Sequence, residues 1–194
     1  MGFFLGFISG EVTAKFWRRL SQKIEHKAFS STVHVPPVRV FFPPMDDVYP
    51  VFCSLVRHER KKIQCAAYRL TNKNFAEELC KAHDRGVEVE IVIDCEDLGL
   101  RYSCSRALHN IGISVYVYPD VAYTSSRKEG LMHNKFMVFH QNKDQIPVVW
   151  TGSFNFSKAA HQKNQENVVL IYGKEVHKEY AHYFNHLKQT TTRL

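Results

Sequence analysis

Three short groups of polar residues, each able to handle a phosphate, lie between residues 131 and 169 of the chain. They are His133-Asn134-Lys135, Gly152-Ser153-Phe154-Asn155 and Glu166-Asn167. An imidazole can attack an electrophile and also titrates near neutral pH, so His133 is a candidate nucleophile towards phosphorus. Lys135 would place a positive charge beside that nucleophile. The chemistry that this pair suggests is transfer of a phosphoryl group.

The residues after Lys135 predict how the pair is presented. The apolar run 136–139 is typical of a buried strand. Residues two apart in a strand point to the same face. If the strand includes His133 and Lys135, the nucleophile and the cation stand side by side.

The second and third groups supply hydrogen-bonding partners. Ser153 and Asn155 repeat the two-residue spacing after another apolar run, 148–150. Their hydroxyl and amide could donate hydrogen bonds to the non-bridging oxygens of a phosphate. Glu166 could hydrogen-bond an imidazole, which would fix its tautomer and stabilise its charged form.

The three groups together resemble a known signature. His133-x-Lys135, Gly152-Ser153-x-Asn155 and Gln165-Glu166-Asn167 look like the HKD motif of the phospholipase D superfamily. Each piece alone is common in unrelated strands and turns, whereas the three in this order are specific. The resemblance covers residues 38–187 and is strongest over 131–170. It is greatest to the small single-motif members, which include bacterial endonucleases and the mitochondrial cardiolipin hydrolases of the Zucchini type.

One position departs from the family pattern, HxKxxxxD. The fifth residue after Lys135 is His140, not Asp. Asp144 follows within the segment 141–147, which we interpret as a lengthened hairpin, and is a candidate to replace the missing acid. The departure concerns the supporting acid and leaves the proposed nucleophile untouched.

The single motif has a consequence for assembly. Transfer through a phosphohistidine needs a nucleophile and a second group that protonates the leaving oxygen. Single-motif chains of the resembling family pair about a two-fold axis, so the resemblance implies a homodimer with a shared active site. His133 of one subunit would be the nucleophile and His133 of the other the general acid. This scheme requires no metal and no other cofactor.

The substrate class follows from charge and from the resemblance. The chain has 26 Lys and Arg against 19 Asp and Glu, a formal net charge of +7, which favours nucleic acid or anionic phospholipid as a partner. The resemblance implies an endonuclease that cleaves single-stranded RNA, as in piRNA-type processing, or alternatively a cardiolipin hydrolase. The basic domain, without an extra apolar segment near the motif, favours the nuclease. His140 motivates a third hypothesis, a weakly active phosphate-binding dimer.

Hydrophobic periodicity predicts an α/β domain over residues 38–190. Strands are predicted at 38–42, 63–70, 87–93, 113–118 and 167–172 and in the two motif segments, and helices at 46–62, 75–85, 101–110, 157–160 and 174–187. This alternation is typical of one domain with a mixed sheet flanked by helices, which is also the phospholipase D-like fold. Active sites in such sheets lie beyond the strand ends.

The residues before the domain suggest membrane association. Residues 1–19 begin apolar and aromatic and end with Arg18-Arg19, but the uncharged run stops at Gly10. A full span needs about 20 apolar residues, so an anchor, an interfacial amphipathic helix and a plain extension stay open. Residues 20–37 are interpreted as a linker. By resemblance, we expect the outer mitochondrial membrane, with the catalytic domain facing the cytosol; a soluble cytoplasmic protein is the alternative.

The cysteines indicate a reducing environment. Five are present, with no CxxC pair, which favours reduced thiols. Cys53 and His58 could offer two zinc ligands, but 44–63 is predicted to be one helix with no room for an inserted zinc element. We therefore expect no metal site here.

Overall fold

The computed structural model describes residues 37–119 and 130–194. In these ranges eight strands are formed: β1 Val38–Phe41, β2 Lys62–Ala67, β3 Glu88–Asp94, β4 Ser114–Tyr118, β5 Lys135–Phe139, β6 Val148–Gly152, β7 Val168–Tyr172 and β8 Thr192–Arg193. The helices are α1 Tyr49–His58, α2 Lys73–Asp84, α3 Cys95–Leu98, α4 Ser105–Asn110, α5 Lys158–Gln162 and α6 Lys174–Lys188.

The strands form one mixed sheet in the order β1-β7-β6-β5-β2-β3-β4-β8. The pairs β2–β3 and β3–β4 are parallel, and the other pairs are antiparallel. The centre of the sheet is therefore β5 beside β2, and the segment carrying His133 leads directly into this centre.

Two apolar clusters cover the two faces of the sheet. Alternate strand residues such as Cys65 and Ile91 pack with Phe52 of α1 and Leu79 of α2 in the larger cluster. The residues between them in the strands face the other side, where helix α6 packs in the smaller cluster through Phe184. The period of two in the strands explains why both faces are apolar. The prediction of one α/β domain with a mixed sheet between helices is confirmed.

The predicted helix 46–62 is wrong at its end. Helix α1 stops at His58, and Glu59 adopts an extended conformation. The Glu59 side chain has no exposed surface, and its carboxylate accepts hydrogen bonds from the backbone N–H groups of Lys61, Lys62 and Gln141 at 2.9 to 3.1 Å. The buried carboxylate of Glu59 therefore holds the turn into β2. The periodicity of apolar residues does not reveal such a polar contact.

The predicted helix 101–110 begins later, at Ser105. The buried carboxylate of Asp97 accepts hydrogen bonds from the hydroxyls of Ser103 and Ser105 at 2.5 and 2.7 Å, and the N–H of Cys104 donates to the carbonyl of Leu70 at 2.9 Å. Ser103 and Cys104 are thus held by tertiary hydrogen bonds in place of helical ones. The short strand β8 was not predicted.

The interpretations of residues 1–19 and of most of the linker 20–37 lie outside the described residues, as do residues 120–129. Across the described ranges, every helix is too short or too polar to cross a bilayer.

Candidate active site

The segments that carry the signature residues meet at one edge of the sheet. Strand β2 ends opposite the start of β5, and the next residue, Tyr68, donates its N–H to the carbonyl of Asn134 at 2.9 Å. The carbonyl of Arg69 then accepts a hydrogen bond from the N–H of Phe156 at 3.1 Å, which ties the loop after β6 to the end of β2. Strand β7 begins opposite the end of β6. Four strand ends therefore surround this edge.

His133 and Lys135 lie together, but not on one strand face. Lys135 is the first residue of β5 and is 7% exposed. His133 precedes the strand and is exposed, so the shared strand face expected from the spacing is absent. The two are joined because Lys135 Nζ donates to the His133 carbonyl, and because both contact Tyr68. The Tyr68 ring centroid lies 4.5 Å from that of His133 and 4.8 Å from Lys135 Nζ.

The lysine has an unusual electrostatic environment. Burial lowers the pKa of Lys135 to about 8; the positive charge of Arg69 acts in the same direction, whereas Glu166 acts to raise it. The ammonium is therefore charged at neutral pH but titrates within reach of it. A charge that is partly removed from water interacts more strongly with a bound phosphate than an exposed one does.

Ser153 and Glu166 form one hydrogen-bonded unit. The Ser153 hydroxyl donates a short hydrogen bond to Glu166 Oε2, and Asn164 Nδ2 donates to Glu166 Oε1 at 3.1 Å. Asn167 holds the serine: its Oδ1 accepts from the Ser153 N–H at 2.9 Å, and its own N–H donates to Ser153 Oγ at 3.0 Å. Within the described residues no hydrogen bond joins Glu166 to an imidazole, and its carboxylate orients Ser153 instead.

The loop after β6 needs a glycine and two phenylalanines. Gly152 has φ +142°, and a Cβ there would lie 2.3 Å from the carbonyl oxygen of Asn167, closer than any side chain allows. Phe154 and Phe156 are fully buried and anchor the loop on either side of Asn155. The buried Oδ1 of Asn155 has no hydrogen-bond partner within the described residues. The Asn155 side chain is thus held at the edge with its amide oxygen unpaired in the described part of the chain.

Sequence reasoning missed three residues of this edge, namely Tyr68, Arg69 and Glu96. Arg69 Nη2 donates to Glu96 Oε2 and to the Tyr68 hydroxyl, both at 2.8 Å, and the Tyr68 hydroxyl donates to Glu96 at 3.0 Å. The guanidinium also stacks 3.9 Å from the Tyr68 ring centroid. No local pattern marks these residues, because they come together only when β2 pairs with β5 on one side and with β3, which leads to Glu96, on the other.

His140 lies at the opposite end of β5 from His133. Its N–H donates to the carbonyl of Lys62 at 3.1 Å, its Nε2 lies 3.0 Å from Gln64 Oε1, and its ring packs 4.6 Å from that of His177. Burial, together with the nearby charges of His177 and two lysines, lowers the pKa of His140 to about 4. The imidazole is therefore neutral at pH 7 and belongs to the packing of α6 on the sheet.

The remaining candidates also lie away from this edge. Asp144 is exposed in the turn Lys143–Gln145, between β5 and β6, and so is at the far end of the sheet from His133. Cys53 is buried in α1, whereas His58 is exposed. Over 37–119 and 130–194, no group of three or more His, Cys, Asp or Glu residues could hold a metal ion. Catalysis without a metal stays a prediction.

A mixed sheet between helices, with the His-x-Lys pair, Ser153, Asn155 and Glu166 at one edge, is the arrangement of phospholipase D-like phosphodiesterases. The family model described as "Cardiolipin synthase, PLD-like domain" matches residues 52–188. The chain belongs to this PLD-like family, which confirms the family predicted from the motif.

Individual relatives support the same class. A phospholipase D of Rickettsia felis is 29% identical over 158 residues, covering 81% of this chain and 72% of the relative. A mitochondrial cardiolipin hydrolase of Mus musculus is 28% identical over 112 residues, covering 58% of this chain and 45% of the relative. The chain spans only about half of some other phospholipases D, such as 54% of the one from Rickettsia bellii.

Solved structures share the fold. Nuc from Salmonella typhimurium, a phospholipase D family member, superposes with a TM-score of 0.68 and 26% identity, over 82% of this chain and 98% of that one. NucT from Helicobacter pylori gives a TM-score of 0.71 at 20% identity, over 81% and 99% of the two chains. The similarities identify a phosphodiesterase of the PLD-like class and do not separate its substrates.

Proposed function

We propose that this protein is a phosphodiesterase that works through a phosphohistidine and cleaves single-stranded nucleic acid, RNA foremost. In the first step a ring nitrogen of His133 attacks phosphorus, and the bond from phosphorus to the leaving oxygen breaks. The leaving oxygen takes a proton from His133 of the partner subunit in a homodimer. In the second step water attacks the phosphohistidine, gives its proton back to that second imidazole and frees His133.

The other edge residues would bind the phosphate. The ammonium of Lys135 offsets the negative charge that develops on the non-bridging oxygens, and the Asn155 amide donates a hydrogen bond to them. The single proton of the Ser153 hydroxyl is donated to Glu166 in the free protein, and the hydroxyl would donate to the phosphate by turning away from Glu166. Glu166 orients the Ser153 hydroxyl, as their hydrogen bond indicates. A histidine and a lysine would thus supply the nucleophile and the cation that many phosphodiesterases take from a metal.

The observation that carries nucleic acid as the substrate is a cavity next to the catalytic loop, lined mostly by residues with polar side chains. Its volume is about 710 Å³. It is lined by Ser157, two residues after Asn155, and by Lys73, Lys158 and Tyr102 among others. Tyr102 is 65% exposed. Cations that follow a phosphate backbone, with an aromatic face on which a base can stack, are what a single strand requires.

The experiment compares substrates and variants. Purified protein is assayed against single-stranded RNA, duplex DNA and cardiolipin vesicles, each with and without EDTA. We expect cleavage of RNA in EDTA, and loss of RNA cleavage but not of bis(p-nitrophenyl) phosphate hydrolysis in Lys73→Gln/Lys158→Gln. Lys143→Gln, an exposed change on the turn at the far end of the sheet, is the matched control. Equal rates on RNA for the double variant and this control would contradict the proposed groove.

Phospholipid is the second candidate, favoured by one specific observation. Phe42 and Met45 follow β1 at the catalytic edge and are 53% and 81% exposed, and Leu131, two residues before His133, is 48% exposed. Apolar side chains around a catalytic opening can insert into a bilayer surface. Hydrolysis of cardiolipin vesicles with no cleavage of RNA would select this candidate. The apolar residues 1–19 would then be its membrane anchor, at the outer mitochondrial membrane.

The third hypothesis, a weakly active phosphate-binding dimer, has less support. It was motivated by His140 at the family's Asp position. Because His140 packs against Gln64 and His177 at the far end of β5, the exchange does not remove a group from the edge that holds His133.

A further inference from the structure

The ring of Tyr68 contacts both proposed catalytic residues from one side. Its centroid lies 4.5 Å from the His133 ring, with the planes inclined at 54°, and 4.8 Å from Lys135 Nζ. The backbone N–H of Tyr68 also donates to the carbonyl of Asn134, the residue between them, at 2.9 Å. Because His133 itself is exposed, contact with the Tyr68 ring can limit the rotation of its imidazole.

The tyrosine is in turn fixed from behind. Its hydroxyl donates to Glu96 at 3.0 Å and accepts from Arg69 Nη2 at 2.8 Å, and the same Nη2 forms a 2.8 Å ion pair with Glu96. The Arg69 guanidinium also stacks on the ring, 3.9 Å from its centroid. A ring bound through its hydroxyl and covered on its face has little freedom to turn.

We propose that Tyr68, locked by Arg69 and Glu96, is a positioning residue that aims the imidazole of His133 at phosphorus. The proposal rests on His133 being the nucleophile. Attack requires a ring nitrogen aligned with the bond that breaks, and a misplacement of about 1 Å can cost ~100-fold in rate. The negative face of the tyrosine ring also favours the positive charge that the imidazole acquires when it is phosphorylated.

Arg69 has a second effect through Lys135. Burial, then Arg69, lowers the pKa of Lys135, and Glu166 opposes them. The guanidinium therefore adjusts the charge of the phosphate-binding lysine without belonging to the HKD motif.

The test measures separately the effects of the Tyr68 ring, of the Tyr68 hydroxyl and of the Arg69 charge, each in the whole chain. With bis(p-nitrophenyl) phosphate as the substrate, Tyr68→Leu should lower kcat about 100-fold with KM within about twofold, because binding groups remain and orientation is lost. Tyr68→Phe and Glu96→Gln, which keep the ring but weaken its lock, should lower kcat by about three- to tenfold. Arg69→Met should move the alkaline limb of kcat/KM to higher pH, because Lys135 would lose a neighbouring charge.

Tyr116→Leu provides the matched control. Tyr116 lies in β4, and its ring carries a similar lysine contact, with Lys188 Nζ at 4.7 Å, away from the catalytic edge. It should leave kcat within about twofold of the wild-type value. Rapid quenching in an alkaline denaturant, in which a phosphohistidine survives, should trap less phosphoenzyme in Tyr68→Leu than in Tyr116→Leu, a difference that general destabilisation does not produce.

Two results would overturn the proposal. One is a kcat for Tyr68→Leu within twofold of wild type. The other is an unchanged kcat in both Tyr68→Phe and Glu96→Gln. This second result decides the question if Tyr68→Leu does not fold. The His133→Asn variant distinguishes failure of the positioning role from failure of the proposed function. If His133→Asn is inert while Tyr68→Leu is normal, only the positioning role is wrong. If His133→Asn is active, the phosphohistidine itself is wrong.

Discussion

Lys135 Nζ donates a hydrogen bond to the backbone carbonyl of His133, which joins the cation of the site to the peptide that carries the proposed nucleophile. Because Lys135 starts β5, which lies in the centre of the sheet, this bond fixes an exposed histidine relative to a rigid strand. A phosphate that approaches His133 therefore meets a positive charge already in place, as preorganised electrostatic catalysis requires.

The first prediction concerns the nucleophile. His133→Asn should abolish hydrolysis and leave the fold and the proposed dimer intact, because it removes the attacking nitrogen with a small change of volume. The rate on bis(p-nitrophenyl) phosphate and the elution volume in size-exclusion chromatography measure the two effects. His182→Asn, an exposed change on α6, is the control. Near-normal turnover of His133→Asn would rule out the phosphohistidine.

The second prediction concerns pH. Since burial and Arg69 lower the pKa of Lys135 to about 8, the ammonium is lost as the pH rises through that value, and kcat/KM should fall with it. Lys135→Arg should be slower but should lack this alkaline limb, because a guanidinium does not titrate in that range. A limb at the same pH in Lys135→Arg would assign the titration to another group.

How far the sequence predicts this site depends on how local each contact is. The HKD residues have fixed spacing and chemically distinct side chains, so His133, Lys135, Ser153, Asn155 and Glu166 could be chosen without a structure. Their orientation could not be predicted. Because β5 starts only at Lys135, His133 and Lys135 do not share a strand face as expected. Both contact the ring of Tyr68 instead.

Non-local pairing also explains what was missed in the fold. The end of α1 depends on Glu59, whose carboxylate binds the N–H of Gln141, 82 residues away. The edge residues Tyr68 and Arg69 meet the catalytic loops because β2 pairs with β5 although three helices and two strands of the described residues lie between them in the chain. Periodicity identifies the apolar faces of elements, whereas these polar contacts are specified only by the assembled sheet.

The third prediction concerns stability in acid. The pKa of His140 is lowered by burial from 6.5 to about 4, so between these values the unfolded chain binds a proton that the folded chain does not. The free energy of unfolding should therefore fall as the pH drops from about 6.5 to about 4. His140→Gln should show a shallower fall in urea titrations at several pH values. His182→Gln is the control, and an equal slope in His140→Gln and wild type would refute the assignment.

The fourth prediction concerns Gly152. A Cβ at Gly152 would meet the Asn167 carbonyl oxygen at 2.3 Å, whereas one at Gly86 has nothing within 4 Å, although both glycines have positive φ. Gly86→Ala should cost about 1 kcal/mol from backbone strain alone. Gly152→Ala should cost more and should also lower kcat, since Asn167 positions Ser153. Equal losses in thermal denaturation, with unchanged kcat for Gly152→Ala, would contradict this role.

The fifth prediction concerns the shared active site of the proposed homodimer. If each site needs His133 from both subunits, a dimer of one wild-type and one His133→Asn chain contains no complete site. Random mixing of equal amounts should leave roughly a quarter of the dimers wild type, by binomial pairing across one symmetric interface. Activity per total protein should therefore fall to about that quarter, below the half expected of independent subunits.

The mixed dimer itself provides the decisive measurement. Two chains with different tags, one wild type and one His133→Asn, are co-expressed, and the dimer that carries both tags is purified and assayed. We expect almost no turnover, because one imidazole cannot serve at once as the attacking nucleophile and as the acid for the same leaving oxygen. A mixed dimer of wild type and His182→Asn should keep the full rate. Half the wild-type rate in the His133→Asn mixed dimer would show that each subunit carries a complete site.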